Sequence, residues 1–286
     1  MAEATGAQLK VFHSLWGFSG DWHEAITRAK TSGFDGLEVN LLHPSLAGLA
    51  PLQVIDALTA NQLSLVVELI SGGDYVPDLA IGPEQHLAEI AEQLPSAERL
   101  QPERITLIIG SDSWSDDVQD HFLEEVLNLA ETCSCPVSLE THRSRSLFNP
   151  WSIAERLARH PRLRLTADLS HWCAVSERLM TPELAPISAM ADRVDHIHAR
   201  VGHAQGPSVS HPFAPEARNA REAHRRCWAL FVERQRARGV HHPTVTPEFG
   251  PDGYLPTLPF TGMPVADLLE INTAMAHWLK QGALHC

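Results

Sequence analysis

Four residues near the ends of short apolar runs carry side chains suited to chemistry. Glu140 ends PVSLE (136–140), Asp168 ends LRLTAD (163–168), His198 sits in VDHIHARV (194–201), and Glu248 lies in PTVTPEF (243–249). Ionisable groups inside apolar strands are costly to bury unless they pair or bind something. Three carboxylates brought to one point repel one another and push their pKa values upward. A divalent cation removes that penalty. Three carboxylates and one imidazole suit Mn²⁺, Co²⁺, Mg²⁺ or Zn²⁺, with Mn²⁺ the first expectation. Singly, each residue has a plainer reading as a helix cap, a surface ion pair or, for one of the alternating His196 and His198, a satisfied core histidine. Their joint placement points to a metal.

The elements that would position them alternate along the whole chain. Apolar runs rich in Val, Ile and Leu fall at 9–15, 35–41, 63–70, 104–110, 136–140, 163–168, 194–201 and 243–249. Each fits a short strand covered on both faces. Helical spacing follows at 21–33, 51–62, 83–94, 116–132, 150–160, 215–239 and 264–282, several starting with Pro in the first turn. A weaker helix is expected within 181–193, which contains Pro186. Eight such repeats without a linker predict an α/β protein, a single-domain (β/α)₈ TIM barrel over residues 1–286. An open doubly wound sheet would carry a glycine-rich phosphate turn after its first strand; SLWGFSG (14–20) lacks that spacing. In a barrel the functional groups lie at the C-terminal strand ends, where all four residues fall.

Bulk properties narrow the partners. The 286 residues, 44% of them apolar, make a chain of ordinary globular composition, and its formal net charge is −13. That charge argues against a nucleic-acid partner. The five cysteines (Cys133, Cys135, Cys173, Cys227 and Cys286) form no paired framework, which suits a reducing compartment. MAEATGAQLK (1–10) does not read as a signal peptide, and no apolar run reaches membrane-spanning length. A cytoplasmic protein without a membrane partner is expected.

The segments FDGLEVN (34–40), SLETH (138–142), ADLSHW (167–172), HIHAR (196–200) and TPEFG (246–250) resemble the xylose isomerase-like barrel superfamily. That group holds sugar isomerases and epimerases together with type IV apurinic endonucleases. The resemblance covers nearly the whole chain. It implies that Glu140, Asp168, His198 and Glu248 bind one metal, and that His171 acts on substrate or on a second metal. In the epimerase branch the two metal-bound glutamates also act as acid and base, which here would be Glu140 and Glu248. The implied function is a divalent-metal-dependent isomerase or epimerase of a small sugar or sugar acid, working through a metal-stabilised enediolate. A homodimer or homotetramer is compatible with it.

The chain also departs from that pattern. Relatives often continue the strand-seven motif to an Asp, whereas here Arg200 and His203 follow His198. Arg200 is suited to clamp a substrate carboxylate or hydroxyls; its plainer reading is a barrel-wall ion pair. His142 and Arg143 follow Glu140, and Trp16, Glu68 and Trp114 lie near the ends of strands one, three and four. Aromatic rings there would stack on a sugar's apolar face, although core tryptophans are common. The loop GHAQGPSVSHPFAP (202–215) has the length and composition of a lid or substrate-contacting segment.

Two other readings compete. The endonuclease branch needs additional His ligands and an Asp-x-His pair; ELISGG (68–73), SVSHP (208–212) and a lone His43 do not supply them. A lyase or decarboxylase acting on a keto-sugar or sugar acid at the same metal fits the ligand set equally well. A non-catalytic binding barrel would have no turnover to lose when Glu140 and Glu248 become Gln.

Overall fold

The computed structural model describes residues 8–284; the N-terminal residues that bear on a leader, and Cys286, lie outside that range. Eight strands run parallel in sequence order and close on themselves: β1 (Lys10–Ser14), β2 (Gly36–Asn40), β3 (Ser64–Ile70), β4 (Arg104–Ile108), β5 (Val137–Glu140), β6 (Leu165–Ala167), β7 (Val194–His198) and β8 (Thr244–Thr246). The expected (β/α)₈ barrel is therefore the observed one. The helices are α1 (Trp22–Thr31), α2 (Pro51–Asn61), α3 (Pro83–Glu98), α4 (Asp116–Ala130), α5 (Ile153–Arg159), α6 (Leu169–Ser176), α7 (Ala185–Met190), α8 (Arg218–Ala237) and α9 (Leu268–Trp278). No helix among the described residues is long and apolar enough to cross a membrane.

Period-two alternation sorts the strand residues between two interiors. Leu37, Val67, Leu107, Leu139, Leu165, Ile197 and Val245 belong to the apolar core under the helices. Their neighbours face the barrel axis and meet across it. Thr106 Oγ1 lies 3.1 Å from Thr166 Oγ1, Ser138 Oγ lies 2.7 Å from the same hydroxyl, and His196 reaches Glu38. Hydroxyls and imidazoles in that layer satisfy one another, so a polar barrel interior is tolerated.

Local chemistry sets the element ends. Asp21 caps α1 in a reciprocal capping box with Glu24, and Pro51 and Pro83 open α2 and α3. Sequence periodicity misses α6, because its eight residues are too short and too apolar to show a stripe. It begins where β6 ends, with Asp168 as its N-cap.

Loops on the site face are tied by a buried arginine. Arg145 donates from Nη1 to the carbonyls of Ser71 (2.6 Å) and Gly110 (3.1 Å), from Nε to that of Tyr75 (3.1 Å), and from Nη2 to that of Asp74. One side chain thus joins the loops after β3, β4 and β5 and holds the Tyr75 backbone.

Candidate metal centre

Glu140, Asp168, His198 and Glu248 converge at the C-terminal mouth of the barrel, each buried, with one ligand atom apiece within 4.8 Å of all the others. The tips of β5 and β7 present Glu140 and His198 directly. Asp168 and Glu248 follow β6 and β8 by one and two residues. Thr141 fixes the Asp168 backbone, exchanging 2.9 Å bonds with its N–H and its carbonyl.

The donor atoms fit a cation. His198 Nε2 lies 3.1 Å from Glu38 Oε1 and donates to it, which turns Nδ1 toward the other three residues. That Nδ1 and Glu140 Oε2 are buried without a hydrogen-bond partner. His198 Nδ1 stands 3.1 Å from Glu248 Oε2 and 3.5 Å from Glu140 Oε1. Nitrogen and oxygen donors gathered this way, once freed of their protons, are what a divalent ion satisfies.

The electrostatics show the same demand. Burial pushes the Glu140 carboxyl up to about 7; the charge of His198 opposes the rise, and those of Glu248 and Asp168 add to it. Burial also raises Asp168, against the pull of Arg200. Burial opposes a charge on His198, but Glu248, Glu38 and Glu140 outweigh it and hold the imidazole well above its usual range. A cation among these groups would take over the work that protons do in its absence.

Around the centre lies a cavity of about 10 Å³ lined by Trp16, Tyr75, Ile108, Tyr254, His142, His171 and Arg200, with Glu140 and Glu248 at its base. Trp16 stands 5.6 Å from Tyr75 and 4.8 Å from Tyr254, ring centre to ring centre. Gly250 allows this, since a Cβ there would fall 2.0 Å from the Trp16 ring. His142 and His171 are in ring contact at 3.8 Å, and burial holds both well below the usual imidazole range. His142 Nδ1 lies 2.5 Å from the Arg143 carbonyl and donates to it, so its Nε2 carries the lone pair.

The remaining sequence candidates fall in different places. Glu68 is buried beneath Tyr75, accepting from the Tyr75 hydroxyl (3.3 Å) and Asn40 Nδ2 (3.2 Å). Burial, reinforced by Glu248, Glu140 and Glu38, pushes it up to about 8. Trp114 packs on His86 and Phe122, away from the cavity, and His203 closes a turn with Gly206. None of residues 202–215 lines the cavity; the loops after β1, β3 and β8 supply its aromatic wall instead. Arg200 reaches the centre, but each of its three guanidinium nitrogens is bonded within the protein. Sequence reasoning passed over Glu38, Tyr75 and Tyr254. Glu38, a carboxylate in mid-strand among apolar residues, carried a readable signal; the two tyrosines sit in irregular loops and carried none.

No family model matches the chain, and no curated protein matches it in sequence. Among solved structures it is similar to D-allulose 3-epimerase from Methylomonas sp. in complex with D-allulose, at 16% identity and TM-score 0.62, covering 96% of this chain and 97% of that one. It is also similar to a xylose isomerase-like TIM barrel protein from Mycobacterium smegmatis in complex with magnesium, at 15% identity and TM-score 0.63, covering 99% and 100%. A third is the probable 3-DHS dehydratase from Bacillus anthracis involved in petrobactin synthesis, at 16% identity and TM-score 0.61, covering 95% and 98%. The shared feature is the fold. That fold is the closed (β/α)₈ TIM barrel.

Proposed function

We propose that the protein is a divalent-metal-dependent isomerase or epimerase of a small sugar or sugar acid. The observation that carries the reading is the buried convergence of Glu140, Asp168, His198 and Glu248, with Glu140 Oε2 and His198 Nδ1 left without a hydrogen-bond partner. These four residues would hold the ion. When bound, a divalent ion polarises a carbonyl and makes the hydrogen on the neighbouring carbon acidic; Mn²⁺ is our first choice. Glu140 and Glu248 line the cavity floor and would remove and return that proton through an enediolate. Trp16, Tyr75 and Tyr254 would cover the apolar face of the sugar, and His142 and His171 would hydrogen-bond its oxygens. The cavity has room for about one water molecule, so substrate entry requires some of the three aromatic side chains to swing outward.

Elimination of water by a lyase is the second reading. The likeness to a probable dehydratase favours it. Both readings place a small carbohydrate or sugar acid in the site.

The test is metal analysis of protein purified without chelators, followed by incubation in D₂O with ketoses, aldoses and keto-acid sugars. Deuterium at a substrate carbon with mass otherwise retained supports isomerisation or epimerisation, and loss of water selects the lyase. Glu140→Gln and Glu248→Gln should each abolish exchange. Absence of both exchange and water loss across the whole panel would sink both readings.

A further inference from the structure

Arg200 is the most enclosed cation of the site, only 1% exposed, and its bonding is nearly saturated. Nε donates to Ser170 Oγ at 3.0 Å. Nη1 donates to the Glu248 carbonyl at 3.3 Å and faces Glu248 Oε2 at 3.5 Å. Nη2 donates to Asp168 Oδ2 at 2.5 Å and lies 2.7 Å from His171 Nε2. The Tyr254 ring covers the guanidinium at 4.5 Å, with Trp16 beyond it at 5.4 Å. A clamp on substrate needs a free fork of N–H groups. None is left.

We infer that Arg200 is a positioning residue of the candidate metal centre: it holds Asp168 and Glu248 in place and sets the tautomer of His171. A guanidinium only donates, so the imidazole nitrogen it meets must accept. His171 Nε2 therefore carries the lone pair, and the ring proton resides on Nδ1. That Nδ1 is buried without a partner, on a ring that lines the cavity. His171 thus presents an N–H donor suited to a hydroxyl or carbonyl oxygen of the substrate. Its ring neighbour His142 presents the opposite, an Nε2 lone pair. The pair reads a donor–acceptor pattern, and Arg200 sets half of it. With its Nε2 lone pair engaged, His171 is also withdrawn from ligation in the grouping of Glu140, His142 and His171.

The inference depends on the proposed metal centre for its second test only. The first uses metal-free protein: ¹⁵N-histidine NMR, with the His171 signals assigned by difference from His171→Gln. Wild type should show His171 protonated on Nδ1 with Nε2 bare. Arg200→Met and Arg200→Lys should both lose that pattern, because lysine restores the charge but not the fork. A bare Nδ1 in wild type, or an unchanged signature in Arg200→Met, overturns the inference.

The second test titrates Mn²⁺ into wild type, Arg200→Lys and the milder Ser170→Ala, with circular dichroism to confirm folding. Affinity should fall about tenfold in Arg200→Lys and less in Ser170→Ala, the usual scale for a residue that orients metal ligands. Unchanged Mn²⁺ affinity in Arg200→Lys, with a raised KM, would instead make Arg200 a substrate ligand. If wild type binds no divalent ion, the metal reading fails while the histidine measurement still decides this one.

Discussion

The two halves of the barrel are built alike and used differently. Strands β1–β4 contain 5, 5, 7 and 5 residues, and their end regions supply Trp16 and Tyr75 of the cavity's aromatic wall together with buried support. Strands β5–β8 contain 4, 3, 5 and 3, with a register shift between Leu165 and Thr166, and each end region delivers one metal-type ligand. A strand that ends early frees its last side chain from the ladder, so the next backbone element can aim it. Asp168 shows this, leaving β6 and capping α6 in one step. Glu38 and Glu68 belong to the other half and act on neighbours: one orients His196 and His198, the other sits under Tyr75.

The sharpest way to break this division of labour is to remove one carboxylate from each half. Glu248→Gln should lower turnover ~10²–10⁴-fold, the scale of a lost acid–base group. Glu68→Gln should lower it about tenfold or less, since Glu68 does not line the cavity. Rates on any sugar that exchanges deuterium measure both, and equal losses would dissolve the distinction.

Glu38→Ala sharpens the picture of support. It leaves the Nε2–H of His198 without its acceptor, and Mn²⁺ affinity should drop about 10–100-fold in a direct titration. Unaltered affinity would show that packing alone orients that imidazole.

Acid stability offers a test outside the centre. His13 of β1 and His224 of α8 are each lowered to about 4, chiefly by burial. Both stay neutral in the fold while an unfolded histidine takes a proton near pH 6.5. Stability is therefore full above that pH and falls as pH drops from 6.5 toward 4, by up to ~3 kcal/mol for each residue. Urea midpoints at pH 7.0 and 4.5 should show a smaller acid loss in His13→Leu and His224→Leu than in wild type; identical losses would refute the assignment. The smallest effect belongs to Phe260, fully exposed in the loop after β8. Phe260→Ser should leave stability within about 0.5 kcal/mol, as expected for a surface change with no packing to lose.

The four residues that converge at the mouth were legible because barrel strands are short, apolar and regularly spaced. An ionisable residue at a strand's end interrupts a simple pattern, as Glu140, Asp168 and His198 do. The lid expectation for 202–215 rested on loop length and composition, and these say nothing about which way a loop folds. Tyr75 and Tyr254 reach the cavity from irregular loops, one of them held by Arg145.

By itself, the sequence determined the closed barrel and the order in which its strands present carboxylates and imidazole, since both follow from local periodicity. Only the tertiary structure decided what Arg200 and His171 do. Their bonds join β7 to the start of α6 and to the end region of β8. The direction of those bonds, and hence the proton on His171, exists only when the segments pack together.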